Sequence, residues 1–128
     1  MAEALLVAKL KATAGVTAIV AARIYPMFAP QGAALPFLIY ETTMDQPVNH
    51  AGGTTGTRQI QIALTCFAST YTGAKALAAA VEAALSGWID ANGCVWLLES
   101  AHDEAGDMMQ GRDVPEYFAV VQEYSVWE

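Results

Sequence analysis

With 128 residues, 55% of them hydrophobic and 15% charged, the chain has enough apolar material for one core without disulfides or a bound metal, and too much of it for disorder. Its formal net charge is −7, with six Lys and Arg against thirteen Asp and Glu. The cations Lys9, Lys11, Arg23, Arg58, Lys75 and Arg112 are scattered, which excludes a surface that holds nucleic acid through its phosphates.

The first predicted element is a helix over residues 2–13, with Glu3 in its first turn and Lys9 and Lys11 near its end, the sense the helix dipole favours. Gly15 breaks it, and a short helical turn over residues 16–22 follows. Residues 26–36 contain Pro26, Pro30 and Pro36 with Gly32 among them. A segment so poor in amide donors is expected to be an ordered crossing loop.

Strands are predicted over residues 37–43 and 57–67. In the second, Ile60, Ile62, Leu64 and Cys66 point one way and Gln59, Gln61, Ala63 and Thr65 the other, so the sheet should have one covered face and one more polar face. A helix over residues 71–86 carries the stripe Leu77, Val81 and Leu85, with Ala74, Ala78 and Ala84 beside it. Ser69 or Thr70 caps its start, and Gly87 suits the left-handed position past its end. Further strands are expected over residues 94–99 and 117–127. The order α-β-β-α-β-β predicts a single α+β domain over residues 1–128. Its sheet is expected to be mostly antiparallel, four-stranded or slightly larger, with two main helices packed on one face. No stretch is long and apolar enough to span a bilayer, and no signal peptide is expected at the N-terminus. Cys66 and Cys94 are read as reduced thiols.

Two long connections, residues 44–56 and 100–116, exceed what a compact domain needs, and the first is expected to be a hairpin arm that reaches a neighbouring subunit or another protein. The first carries Asp45, Gln46, Asn49, His50, Gly52 and Gly53, the second His102, Asp103, Glu104, Asp107, Met108, Met109 and Arg112. Neither holds chemistry. The acidic cluster lacks the spacing of a zinc or calcium site. His50 and His102 lie in no nucleophile motif, and the glycines of 52–56 lack the lysine of a phosphate loop. The sequence therefore predicts no metal, no cofactor and no catalysis. It predicts a partner-binding surface drawn from Asp45, Gln46, Asn49, His50, Gly52, Gly53, Met108, Met109, Arg112 and the terminal Trp127, with the apolar excess meeting another protein.

The stretches Val16-Thr17-Ala18-Ile19-Val20, Arg23-Ile24-Tyr25-Pro26 and, above all, Ala29-Pro30-Gln31-Gly32-Ala33-Ala34-Leu35-Pro36-Phe37-Leu38-Ile39-Tyr40 resemble the small tail terminator (tail completion) proteins of long-tailed phages and gene transfer agents. Arg58-Gln59-Ile60-Gln61-Ile62 and the helix closing on Ala84-Leu85-Ser86-Gly87 continue the pattern. The resemblance covers residues 1–90 and the final strand; residues 99–116 match nothing in it. It implies a virion protein, assembled in the host cytoplasm, that forms a hexameric ring at the head-proximal end of the tail tube. Its implied partners are its own copies, the tube protein and a neck or head-closure protein, with DNA passing through the lumen unbound and no membrane involved. The alternatives are another neck component or a small ligand-binding accessory domain.

Overall fold

A computed structural model describes residues 2–30, 32–105 and 117–127. Its elements in chain order are α1 (Ala2–Ala12), α2 (Ala14–Val20), β1 (Ile24–Pro26), β2 (Phe37–His50), β3 (Gly53–Ala68), α3 (Tyr71–Leu85), β4 (Trp96–Ala105) and β5 (Phe118–Trp127). The strands form one sheet in the order β1-β2-β3-β5-β4, with β1 parallel to β2 and every other pair antiparallel.

All three helices lie on one face. Leu6 and Leu10 of α1, Val16 and Val20 of α2, and Ala74, Leu77, Ala78, Val81 and Leu85 of α3 form one buried cluster. They meet Leu38, Ile60, Ile62, Leu64, Cys66, Val120, Tyr124 and Val126 of the sheet. The alternation read in residues 57–67 is the alternation observed: the even positions of β3 enter this core. Within the core, Gln122 donates from Nε2 to the carbonyl of Ala78 at 3.0 Å and accepts from the Tyr124 hydroxyl at 2.9 Å. A polar pair so satisfied fixes α3 against the centre of the sheet at little desolvation cost. Cys66 is buried, and burial pushes its thiol up to about 12; neither cysteine is in a disulfide.

The helix boundaries follow their caps. Thr70 accepts the amide of Gly73 at 3.0 Å, and Gly87 adopts φ 78° after the last turn of α3. Beyond it the side chain of Asp90 closes a tight turn. It accepts the amides of Asn92 and Cys94 at 2.9 and 3.0 Å and the buried indole N–H of Trp96 at 3.1 Å. Trp96 stacks against Trp88, over which the Lys9 ammonium sits 5.5 Å from the ring centroid. The turn thereby ties α1 to the start of β4.

Four sequence expectations need correction. The strands expected over residues 37–43 and 57–67 are too short: the hairpin arm of residues 44–56 is itself strand, as β2 and β3 run on to a turn at Ala51-Gly52. The proline-rich crossing begins with a strand, because Ile24, Tyr25 and Pro26 pair with Leu38, Ile39 and Tyr40 and add a fifth strand. Proline is tolerated there since β1 is an edge. Residues 100–105, expected as loop, belong to β4, displaced from the predicted 94–99. The face opposite the helices is not uniformly polar, as the next subsection describes.

Candidate interaction surfaces

On the face away from the helices, one end of the sheet is aromatic. Tyr25 meets Phe37 edge to face at 5.9 Å, Phe37 stacks on Phe67 at 4.9 Å, and Phe67 meets Tyr117 at 5.1 Å. These four rings, drawn from β1, β2, β3 and the residue before β5, form a strip across the strands. Each is half-buried, although among the described residues no helix lies over it. Ile39, Thr65 and Val121 form the next row. Farther along, the row Glu41, Ala63, Glu123 and Ser100 turns the face acidic, and Glu99, which accepts from the Ser125 hydroxyl, extends it. Glu104 pairs with His102 at the β4 edge, at 3.1 Å. None of the residues paired in these rows is Lys or Arg.

At the far end of the same strands, the hairpin leaves the sheet. The last pair between β3 and β5 is Gln59 with Trp127, and β1 covers β2 only as far as Tyr40. Residues 47–50 and 53–58 pair only with each other, as Pro47 with Arg58, Asn49 with Thr54 and His50 with Gly53. At about 3.4 Å per residue the shorter half, residues 47–50, limits the projection to roughly 14 Å. Register shifts at Thr42/Met44 and Pro47/Asn49 mark irregularities that bend such ribbons. At its base Arg58 donates to Asp45 at 2.8 Å, each about half exposed, so the pair orients the arm more than it stabilises it. From Gln46 to Thr57 the sequence contains no Asp, Glu, Lys or Arg.

The structure thus places Asp45, Gln46, Asn49, His50, Gly52 and Gly53 together on one projecting arm. Trp127, 48% exposed, stands beside the arm's root opposite Gln59. Met108, Met109 and Arg112 lie outside the described residues, as does Asp107. His102 and Glu104 meet on one face of β4, and Asp103 turns to the other, because a strand points alternate residues to opposite faces. Asp103 instead receives Lys75 at 2.6 Å and the Tyr71 hydroxyl at 2.8 Å, contacts that hold its carboxyl below the usual range and raise Lys75. Among the described residues, no three His, Cys, Asp or Glu are grouped to hold a metal ion, and no helix is long and apolar enough to cross a membrane.

Sequence reasoning missed the aromatic strip. The signal was Phe67 on the supposedly polar parity of β3, matched by Phe37 and Ile39 in β2. It also missed Met27 and Phe28, 63% and 76% exposed on a turn in which Met27 takes φ 65° and donates its amide to Tyr40. A bulky residue in that region is strained. A shallow apolar groove opens between α1 and β2, lined by Ala4, Val7, Ala8 and Tyr40 with Glu3 and Lys11 at its margin.

A small acidic subunit with an aromatic strip on an uncovered sheet face and a neutral ribbon outside its core is a building block that binds other proteins. The family model for tail completion protein gp17 matches residues 4–127; the chain belongs to that family and is a structural protein of the phage virion tail. No curated protein matches the chain. Among solved structures, a chain from the virion of a native gene transfer agent particle is similar, with a TM-score of 0.71 over 98% of this chain and 92% of that one. At 16% identity the likeness is one of fold.

Proposed function

We propose that this chain forms a ring, a hexamer, at the head-proximal end of the tail tube, where it ends tube polymerisation and joins the tail to the neck without catalysing a reaction. The observation that carries this reading is the pair of surfaces the fold does not use for itself: the strip across one sheet face and the arm projecting from the other end. A lone subunit gains nothing from either, whereas apolar surface and projecting ribbon are what a subunit needs to bind its neighbours. Membership of the tail completion family supports the same reading. Its partners are then other copies, the tube protein and a neck or head-closure protein, on a surface formed by Asp45, Gln46, Asn49, His50, Gly52, Gly53, Met108, Met109, Arg112 and Trp127.

DNA passes through such a ring without being held. Six copies at −7 each carry 6 × −7 = −42, and part of this charge faces the lumen, where it repels the phosphates.

Electron microscopy of particles carrying a labelled copy tests the position. Label at the junction of head and tail, with tubes of uncontrolled length and unjoined heads when the chain is deleted, is the expected result. Label elsewhere in the tail, or normal tubes on deletion, removes the proposal. Normal tubes that fail only to join heads would instead favour a head-closure component.

A further inference from the structure

We infer that the β2–β3 arm of one copy lies over the aromatic strip of the next, so that the ring is held by a head-to-tail clasp between two different patches; this rests on the ring proposed above. Three observations carry it.

The first is charge. Copies of a −7 protein repel one another wherever their acids meet, and the described sheet face is acidic over its middle rows. Two stretches escape this repulsion. The arm carries no formal charge from Gln46 to Thr57, and the strip of Tyr25, Phe37, Phe67 and Tyr117, with Ile39, Thr65 and Val121, carries none within itself, its rows meeting charge only at the β4 edge, where Glu104 lies beyond Ala119 and His102 beyond Val121. These are the surfaces on which a second copy meets the least opposition.

The second is position. The arm leaves the sheet beyond Gln59, and the strip crosses it at Phe67, roughly 30 Å away along the same strand. Two different patches can meet reciprocally about a two-fold axis or head to tail, and only the second arrangement repeats around the ring proposed above. That arrangement is a heterologous contact, repeated from copy to copy, which closes into a ring when the rotation permits. A projection of roughly 14 Å spans the three spacings, at about 4.8 Å each, between the four strands that carry the rings.

The third is composition. Pro47, Val48, three glycines and three threonines in residues 47–57 offer small apolar groups, and glycine lets backbone approach ring faces closely. Half-buried rings over which no described helix lies are suitable platforms for them.

The test uses assembled particles. A photoreactive benzoylphenylalanine substituted for His50 should, on irradiation, give a dimer of this chain. Digestion should join the arm peptide to one containing Tyr25, Phe37, Phe67 or Tyr117. An adduct with the tube or neck protein, with the helical face of a second copy, with the chain's own residues 106–116, or no adduct at all, overturns the clasp. Each of those leaves the ring intact if the particles still show six copies around the lumen. A single copy there would defeat the ring itself. As a second measurement, Tyr25→Glu should lower incorporation into particles at least tenfold while its circular dichroism matches the parent. Leu97→Glu, on the same face at the other end, should incorporate normally. Equal incorporation of the two variants also overturns the clasp, and a misfolded Tyr25→Glu leaves the crosslink to decide.

Discussion

Asp90 shows how a single carboxylate organises a connection. It lies in the turn between α3 and β4, 7% exposed, and burial alone would raise its pKa. The amide of Cys94, the indole of Trp96 and the amide of Asn92 outweigh that and hold it below 3.8. A group depressed in the folded state contributes its stability fully above its unfolded pKa and loses it as pH falls through the folded one. Asp90→Asn keeps an acceptor for the two amides but turns a second donor toward the Trp96 indole. The substitution should cost about 1–3 kcal/mol at pH 7 in urea unfolding, the range for hydrogen bonds to a charged group. The gap to the parent should narrow below pH 4, where the parent carboxyl takes up its proton. A gap that stays constant down to pH 3 would mean that the ionised form is not what the turn holds.

At the scale of elements, the start of α3 sets two local rules against each other. Helix propensity favours alanine over glycine by roughly 0.5–1 kcal/mol, so Gly73→Ala looks stabilising. A Cβ at Gly73, however, would lie 2.8 Å from the Thr70 hydroxyl and 3.3 Å from the Ala68 methyl. The hydroxyl must rotate away, and the cap it makes with the Gly73 amide is lost, at a cost of about 1 kcal/mol. Gly73→Ala alone should therefore fail to stabilise the protein. Thr70→Ala should cost about 1 kcal/mol, and adding Gly73→Ala to it should recover roughly 0.5 kcal/mol or more. Thermal unfolding of the four proteins measures the coupling, and strict additivity would refute the steric argument.

The elements differ in how far the sequence discloses them. Helix α3 was readable to within a residue, because its stripe, cap and terminal glycine are all local signals. The core parity of β3 was readable for the same reason. Of the arm the hairpin was readable but not the strands: Pro47, Asn49 and the glycines have low strand propensity, and they lie in strands because each half of a hairpin supplies the other's hydrogen bonds. The outer part of β4 reads as a solvated acidic loop because an edge strand exposes both its sides, so no apolar alternation survives. The candidate surface divides the same way. Its arm residues are contiguous in sequence and were found there, whereas Tyr25, Phe37, Phe67 and Tyr117 become neighbours only through the order of the strands.

For the whole molecule, the balance of charge sets what can pass through a ring of such subunits. Glu41 and Glu123 flank Ala63 in one register row of the uncovered face, two strand spacings or about 10 Å apart. That is near the Debye length at 0.1 M salt, so each senses the other weakly and together they repel a polyanion. Replacing both by lysine moves each copy from −7 to −3, since each change is worth two charges, and six copies from −42 to −18. It also puts cations in paired rows that have none. Both positions are strand surfaces outside the core, so the double variant should unfold within about 0.5 kcal/mol of the parent. The parent ring should leave double-stranded DNA unretarded in a gel even at low ionic strength. The variant ring should retard it at low salt and release it steeply as salt rises, because phosphate contacts are paid back in released counterions. Particles built from the variant should then deliver DNA more slowly at unchanged assembly. If parent and variant rings behave alike toward DNA, these glutamates do not face the lumen, and the acidity of the chain serves solubility rather than passage.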